Sequence, residues 1–274
     1  MQHRIMRVRE TIVEGIFYPS DIKKLTRLVK SLLHKAPRAS RPARGIISPH
    51  AGLRYSGSIA AAAFNSAAAG KFRRVVIVAP AHHHSGDNVI FPESDYFKLP
   101  TGLIPVDREA VESLAASSTA FHINDLPHLD EHSIEVQLPF TSTLFPKATI
   151  IPILLGTIGV RTLETLADAL RHTFSTDMAG TLFVASANLT PFLQKADADA
   201  QAELFLSRIL QNEPGPLRSD LAAGRISSGG AASAAVLLTI MGQAAKVQLL
   251  ARGSSAETNA DYLQLVHYAA VAFF

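Results

Sequence analysis

The sequence predicts an α/β fold: one domain over residues 1–274, with a mostly parallel central sheet flanked by helices. Short apolar runs rich in β-branched residues recur along the chain, Arg74–Ala79 and Thr149–Leu155 among them. These runs are nearly continuous rather than alternating, which is the pattern of strands buried on both faces. Amphipathic or alanine-rich stretches of helical length separate them, and regular alternation of strand and helix points to a parallel sheet.

The elements follow in order. Ser20-Asp21 is a helix-start signal, so a first helix is predicted over Asp21–Leu33. The short proline-containing stretch Ala36–Arg44 connects it to a strand at Gly45–Ser48, a helix at Ser58–Ala69 and the strand Arg74–Ala79. Asp107 opens a helix over Arg108–Ala116. Asp130-Glu131-His132-Ser133, with Gln137 further on, reads as the start of another over Ser133–Leu144. Thr149–Leu155 is a strand, Thr162–Phe174 a helix, Leu182–Ala185 a strand and Asp197–Gln211 a helix. An alanine-rich helix over Ala231–Gly242 precedes strands at Val247–Ala251 and Val266–Phe273. The sequence carries no internal repeat and no linker long enough to argue a domain boundary.

Composition narrows the function classes. Hydrophobic residues make up 47% of the chain and charged residues only 18%, so either the core is large or another subunit covers part of the surface. A small homo-oligomer is the expectation. The net charge is +3, and the basic residues are dispersed, so nucleic acid is not the expected partner. There is no cysteine, which excludes disulfides, a thiolate nucleophile and cysteine-ligated zinc. The polar start Met1–Glu10 is not a signal peptide, and no apolar run reaches membrane-spanning length. The cytoplasm is the expected compartment and a membrane is not an expected partner.

In α/β sheets ligands sit beyond the carboxyl ends of the strands, so the residues after each strand carry the functional reading. Pro49-His50-Ala51-Gly52 and Tyr55 follow the first strand. Ala81-His82-His83-His84 follow the second, and Ser186-Ala187-Asn188 follow Leu182–Ala185. Two of these three loops place histidine at the same edge. Imidazole there can bind a transition metal or move a proton near neutral pH. His132 adds a third ring at a predicted helix start, and Glu131 beside it could orient a neighbouring imidazole.

Bland roles compete at every one of these positions. Each histidine alone fits a hydrogen-bonded structural residue. Glu131 would also be stabilised by a helix dipole, and Asp130 fits a cap. His84 fits a solvated loop, and His3, His34, His122, His128, His172 and His267 fit structural positions. Gly52 and Gly57 fit turns, and Gly229-Gly230 allows a close backbone approach. No phosphate-binding glycine loop, dinucleotide fingerprint, H-E-x-x-H or G-x-S-x-G elbow is present.

Five segments carry a resemblance to a known family. They are Gly15-Ile16-Phe17-Tyr18-Pro19, then Ser48-Pro49-His50-Ala51-Gly52 with Tyr55-Ser56-Gly57, then Ala79-Pro80-Ala81-His82-His83, then Glu131-His132-Ser133-Ile134-Glu135-Val136-Gln137-Leu138-Pro139-Phe140, then Ile151–Gly156. In this order they resemble the Memo family, also called AmmeMemoRadiSam system protein B. The fourth is a near letter-for-letter match. The resemblance implies a fold like that of the class III extradiol dioxygenases. It also implies a metal cleft built from the histidine of P-H-A-G, the first histidine of P-x-H-H, a late cysteine, and an Asp and His from S-S-D-x-x-H.

The first two of these carry over to His50 and His82. Asn188 and Pro191 stand where the Asp and His belong, and Gly229, or Ser228, where the cysteine belongs. The resemblance therefore implies a degenerate cleft binding a small molecule or peptide, with Tyr55, His83, Glu131, His132, Asn188, Ser228 and Gly229 around His50 and His82. The alternative is a metal-dependent redox enzyme with iron or copper on His50, His82 and His132; zinc is a further candidate ion there. A metal-free hydrolase using Ser186 or Ser228 is a third reading.

Overall fold

The computed structural model describes residues 6–86, 88–258 and 263–274. β1 (Val8–Arg9) precedes α1 (Ile22–Lys35), β2 (Gly45–Ser48), α2 (Leu53–Ala67) and β3 (Arg74–Pro80). Next come β4 (Val89–Phe91), β5 (Tyr96–Leu99), β6 (Gly102–Pro105), α3 (Arg108–Ala115), β7 (Phe121–Ile123) and α4 (Leu126–Leu129). α5 (Leu138–Leu144), β8 (Thr149–Leu155), α6 (Val160–Thr173), β9 (Thr181–Ser186), β10 (Leu193–Gln194) and α7 (Lys195–Leu210) follow. α8 (Pro214–Ala222), α9 (Gly230–Met241), β11 (Val247–Ser254), β12 (Gln264–Leu265) and β13 (His267–Phe273) complete the order.

The main sheet runs β11-β13-β2-β9-β3-β8-β4-β7. Its centre, β2-β9-β3-β8, is parallel. β13 joins β2 antiparallel, β11 joins β13 antiparallel, and β4 joins β8 antiparallel while pairing in parallel with β7. The four central strands are buried almost throughout, which explains their unbroken apolar sequences. Helices flank the sheet in two groups. α2 packs on β2, β11 and β13 with α1 and α5 beside it, and α9 packs on β9 and β3 with α6 and α8 beside it.

The strand order positions the site. β9, late in the sequence, is inserted between β2 and β3. Because all three run parallel, the loops after β2, β9 and β3 emerge side by side at one carboxyl edge. Gly230 at the start of α9 abuts this edge, and a Cβ there would lie 2.5 Å from Ala187 Cα. Glycine is what lets the helix end approach the loop after β9.

Every long predicted element is present with shifted ends. Asp21 and Asp107 cap α1 and α3 as expected, accepting from Lys24 N at 2.7 Å and Ala110 N at 3.2 Å. The predicted helix Ser133–Leu144 needs correction. Its start is a 3-10 turn at Glu135–Gln137, and the α-helix begins only at Leu138. Asp130-Glu131-His132-Ser133 is an irregular loop rather than a helix start: Glu131 accepts from the Ser133 amide and reaches across to the amide and ring of His82. Gly57 is not a turn residue either. It lies inside α2, where a Cβ would be 3.0 Å from Leu32 Cδ1, so it sets the close packing of α1 on α2. The short strands β4–β7 and the Pro-Gly-rich helix α8 escape a reading by periodicity because each has too few residues to show one.

Candidate functional site

His50 follows β2 by two residues and is buried. Its backbone N–H donates to Asn188 Oδ1 at 3.1 Å, and its Nδ1 lies 3.1 Å from Ser186 Oγ. The Ser186 hydroxyl donates its one proton to the Ser133 carbonyl at 2.7 Å and accepts from Gln137 Nε2 at 2.9 Å. It therefore has only an acceptor position to offer His50. This network assigns the ring proton of His50 to Nδ1 and leaves a lone pair on Nε2. Burial lowers the pKa of His50 well below the usual imidazole range, and the charges of His82 and His132 lower it further.

His82 lies just past the end of β3, and Glu131 holds it twice. Glu131 Oε2 accepts from the His82 backbone N–H at 2.5 Å, and both carboxylate oxygens lie 3.0 Å from His82 Nδ1. Glu131 Oε1 also accepts from Ser133 N at 2.8 Å and lies 3.3 Å from His132 Nδ1. Burial on its own would raise the Glu131 pKa, but hydrogen bonds and charge from His82, with the Ser133 amide, outweigh it and hold the carboxyl at about 2. His132 packs edge-on against Phe17, with ring centres 5.0 Å apart, and burial lowers its pKa.

The loop carrying Glu131 and His132 is itself pinned. Buried Arg9 donates from Nη2 to the Glu131 carbonyl at 2.7 Å and from Nε to the His128 carbonyl at 2.9 Å, and pairs with buried Glu135. Glu135 also accepts from Tyr18 Oη at 2.5 Å and Val13 N at 3.1 Å. Ser133 Oγ donates to the Pro80 carbonyl at 2.8 Å. The segment Glu131–Gln137 thus works residue by residue: it orients rings, ties down the chain around Tyr18, and braces Ser186.

The three imidazoles form a triangle, with ring centres 5.2 Å apart for His50–His82, 5.8 Å for His50–His132 and 4.9 Å for His82–His132. Metal–nitrogen bonds of about 2.0–2.1 Å put ring centres roughly 3 Å from an ion, and tetrahedral angles then separate them by roughly 5 Å. Ring-centre spacing of this size brings the three imidazoles to one place. Donor atoms of His82, Glu131 and His132 come within 4.8 Å of one another, which would make Glu131 a ligand in place of His50. Both Glu131 oxygens are already engaged by His82, and Oε1 by Ser133 as well, so Glu131 also serves to orient the ring of His82.

The other expected residues spread out. Asn188 and Ser228 adjoin His50, with Ser228 Oγ donating to the Asn188 carbonyl at 2.6 Å. Gly229 is exposed beside them. His83 is exposed in the turn after His82, and its charge opposes protonation of His132. Tyr55 lies on α2 with the Arg54 guanidinium 4.7 Å over its ring. His84 bonds Asn88, His128 is buried against the Ile90 carbonyl and His267 faces Asp199. His3 lies outside the described residues. A serine nucleophile does not fit: the protons of Ser186 and Ser228 go to carbonyls rather than to an imidazole. Residue reading missed Ser186 and Gln137 as supports of His50, and Arg9 as the anchor of the Glu131 loop. Gln137 had a signal in the dense polar spelling of the Glu131–Gln137 segment; Ser186 and Arg9 had none.

The family model for Memo-like proteins matches residues 9–272. The chain belongs to the Memo family. A MEMO1 family protein of Thermotoga neapolitana is 33% identical over 95% of this chain and 98% of its own. One from Nitrosopumilus maritimus is 28% identical over 97% of this chain and 99% of its own. Among solved structures, an uncharacterized Escherichia coli K12 protein aligns with TM-score 0.46 and 13% identity, covering 73% of this chain and 86% of that one. Within this Memo chain, no helix among the described residues is long and apolar enough to cross a membrane.

Proposed function

We propose that this Memo protein binds one transition-metal ion through His50, His82 and His132 and uses it in metal-dependent chemistry on a small molecule. One observation carries the reading. The three ring centres lie 4.9–5.8 Å apart, and the Nδ1 atoms of His50 and His82 face Ser186 and Glu131, which leaves Nε2 of each free for a ligand. Oriented imidazole with an acceptor on its far nitrogen is the usual arrangement of a metal-bound histidine. Neutral rings are required, and the lowered pKa of His50 and His132 keeps both neutral at pH 7.

His50, His82 and His132 would hold the ion, and iron, copper or zinc would supply Lewis acidity there, the first two also redox capacity. The chain's own contribution is orientation: Ser186 and Glu131 fix two rings, and Phe17 walls the third.

The second reading is a cleft that binds a small molecule or peptide without metal. Asn188 and Gly229 favour it, since neither offers the carboxylate or thiolate donor that the family resemblance implies there. Calorimetric titration of untagged protein with iron(II), copper and zinc separates the two. Stoichiometric binding, abolished in His50→Ala and His132→Ala, supports the metal site. Absence of binding for all three ions leaves only the metal-free cleft.

A further inference from the structure

A cavity of about 520 Å³ adjoins the histidine cluster. Its near wall is Pro80 and Ala81, the two residues before His82, together with Ser228 and Gly229. Ser228 is bonded to Asn188, whose side chain holds the His50 amide, so cavity and cluster share a wall. The far side is apolar, with Leu155, Leu163, Leu221 and Ile226 among its residues. Arg218 also lines it, but this guanidinium is already paired with Glu164 at 3.0 Å and bonded to Thr239 at 3.3 Å. Cavities of this size, mostly apolar and beside convergent polar groups, are the usual form of a small-molecule site.

We propose that this cavity takes the uncharged apolar portion, a short alkyl chain or ring, of a ligand whose polar end reaches the histidine cluster. The assignment names the ligand class for the site proposed above and rests on that reading for the polar end alone. An ionic tail gains no partner there, because the Arg218 guanidinium is already paired with Glu164 while the apolar walls favour an uncharged chain. Gly229 stands on the wall shared with Pro80: a Cβ added there would lie 3.0 Å from Pro80 Cβ, so a larger side chain takes space from this end of the cavity. The Gly229 backbone is helical, so Gly229→Val asks only that Pro80 yield by a few tenths of an ångström, and Val160 on the rim is 39% exposed, which makes Val160→Trp the variant least demanding on the fold.

Two arms test it on the full chain. In the metal-free arm, with chelator present, 1-hexanol and hexanoate are compared by saturation-transfer NMR against wild type, Gly229→Val and Val160→Trp. Hexanol should bind wild type, hexanoate should bind more weakly, and both variants, folded by circular dichroism, should lose hexanol. In the zinc-loaded arm, alkyl hydroxamates of increasing length should gain about fourfold in affinity per added methylene over the first few carbons, with the gain lost in both variants. No hexanol binding, or equal binding in all three proteins, overturns the cavity assignment whether or not metal binds. Chain-length-independent hydroxamate binding to zinc-loaded protein overturns its link to the cluster. Failure to take up zinc counts against the metal site alone, since the first arm still decides the cavity.

Discussion

Ser186 Oγ lies 3.1 Å from His50 Nδ1 while giving its own proton to the Ser133 carbonyl. The hydroxyl is an acceptor for the ring, not an activated nucleophile, and it fixes which nitrogen of His50 faces the cleft. Ser186→Ala should lower metal affinity by about 10–100-fold, the usual effect of losing a partner of a metal-bound histidine. It should also cost about 1–3 kcal/mol of stability by leaving the buried Gln137 amide and Ser133 carbonyl short of a partner. Calorimetry and urea unfolding measure the two effects; unchanged affinity would detach Ser186 from the site.

Glu131 gives an acid-side prediction. Its carboxyl is held at about 2, below its ordinary 4.5, so the charged form is favoured by folding. That stability is fully present above pH 4.5 and is lost as pH falls towards 2, by about 3 kcal/mol at most. Glu131→Gln should flatten the pH dependence of unfolding in this window. A variant as acid-sensitive as wild type would contradict the assignment.

His128 acts in the adjacent window with the opposite preference. Burial lowers its pKa to about 4 from 6.5, so the folded chain resists its protonation. The unfolded chain binds the extra proton between these values, and stability therefore falls as pH drops from 6.5 to 4. In His128→Gln, thermal unfolding should lose part of this slope. The remainder belongs to His50 and His132, which burial lowers in the same direction.

Arg9 and Glu135 form a fully buried ion pair far apart in sequence. Removing one partner strands the other charge, so Glu135→Leu or Arg9→Met should each destabilise by about 3–5 kcal/mol. The Arg9→Met/Glu135→Leu double variant should cost less than the sum of the two, because neither charge is then left unpaired. Denaturant midpoints for the four proteins check this; strict additivity would mean the pair is not coupled.

The sequence by itself determined the layer architecture, because strands buried on both faces must be apolar throughout and stretches of helical length separate them. Arg74–Pro80 and Thr149–Leu155 were legible for that reason, and so were His50 and His82, which simply follow strands. Tertiary structure alone decided that β9 inserts between β2 and β3, since strand order is set by crossovers rather than by local composition. That insertion puts Ser186 behind His50. Likewise the Asp130–Ser133 stretch has the residues of a helix cap, and only the position of His82 brought the Glu131 carboxylate onto an imidazole as well as onto the His82 and Ser133 amides. Short polar side chains bond whichever partner the fold brings nearest, so their local spelling cannot reveal the choice.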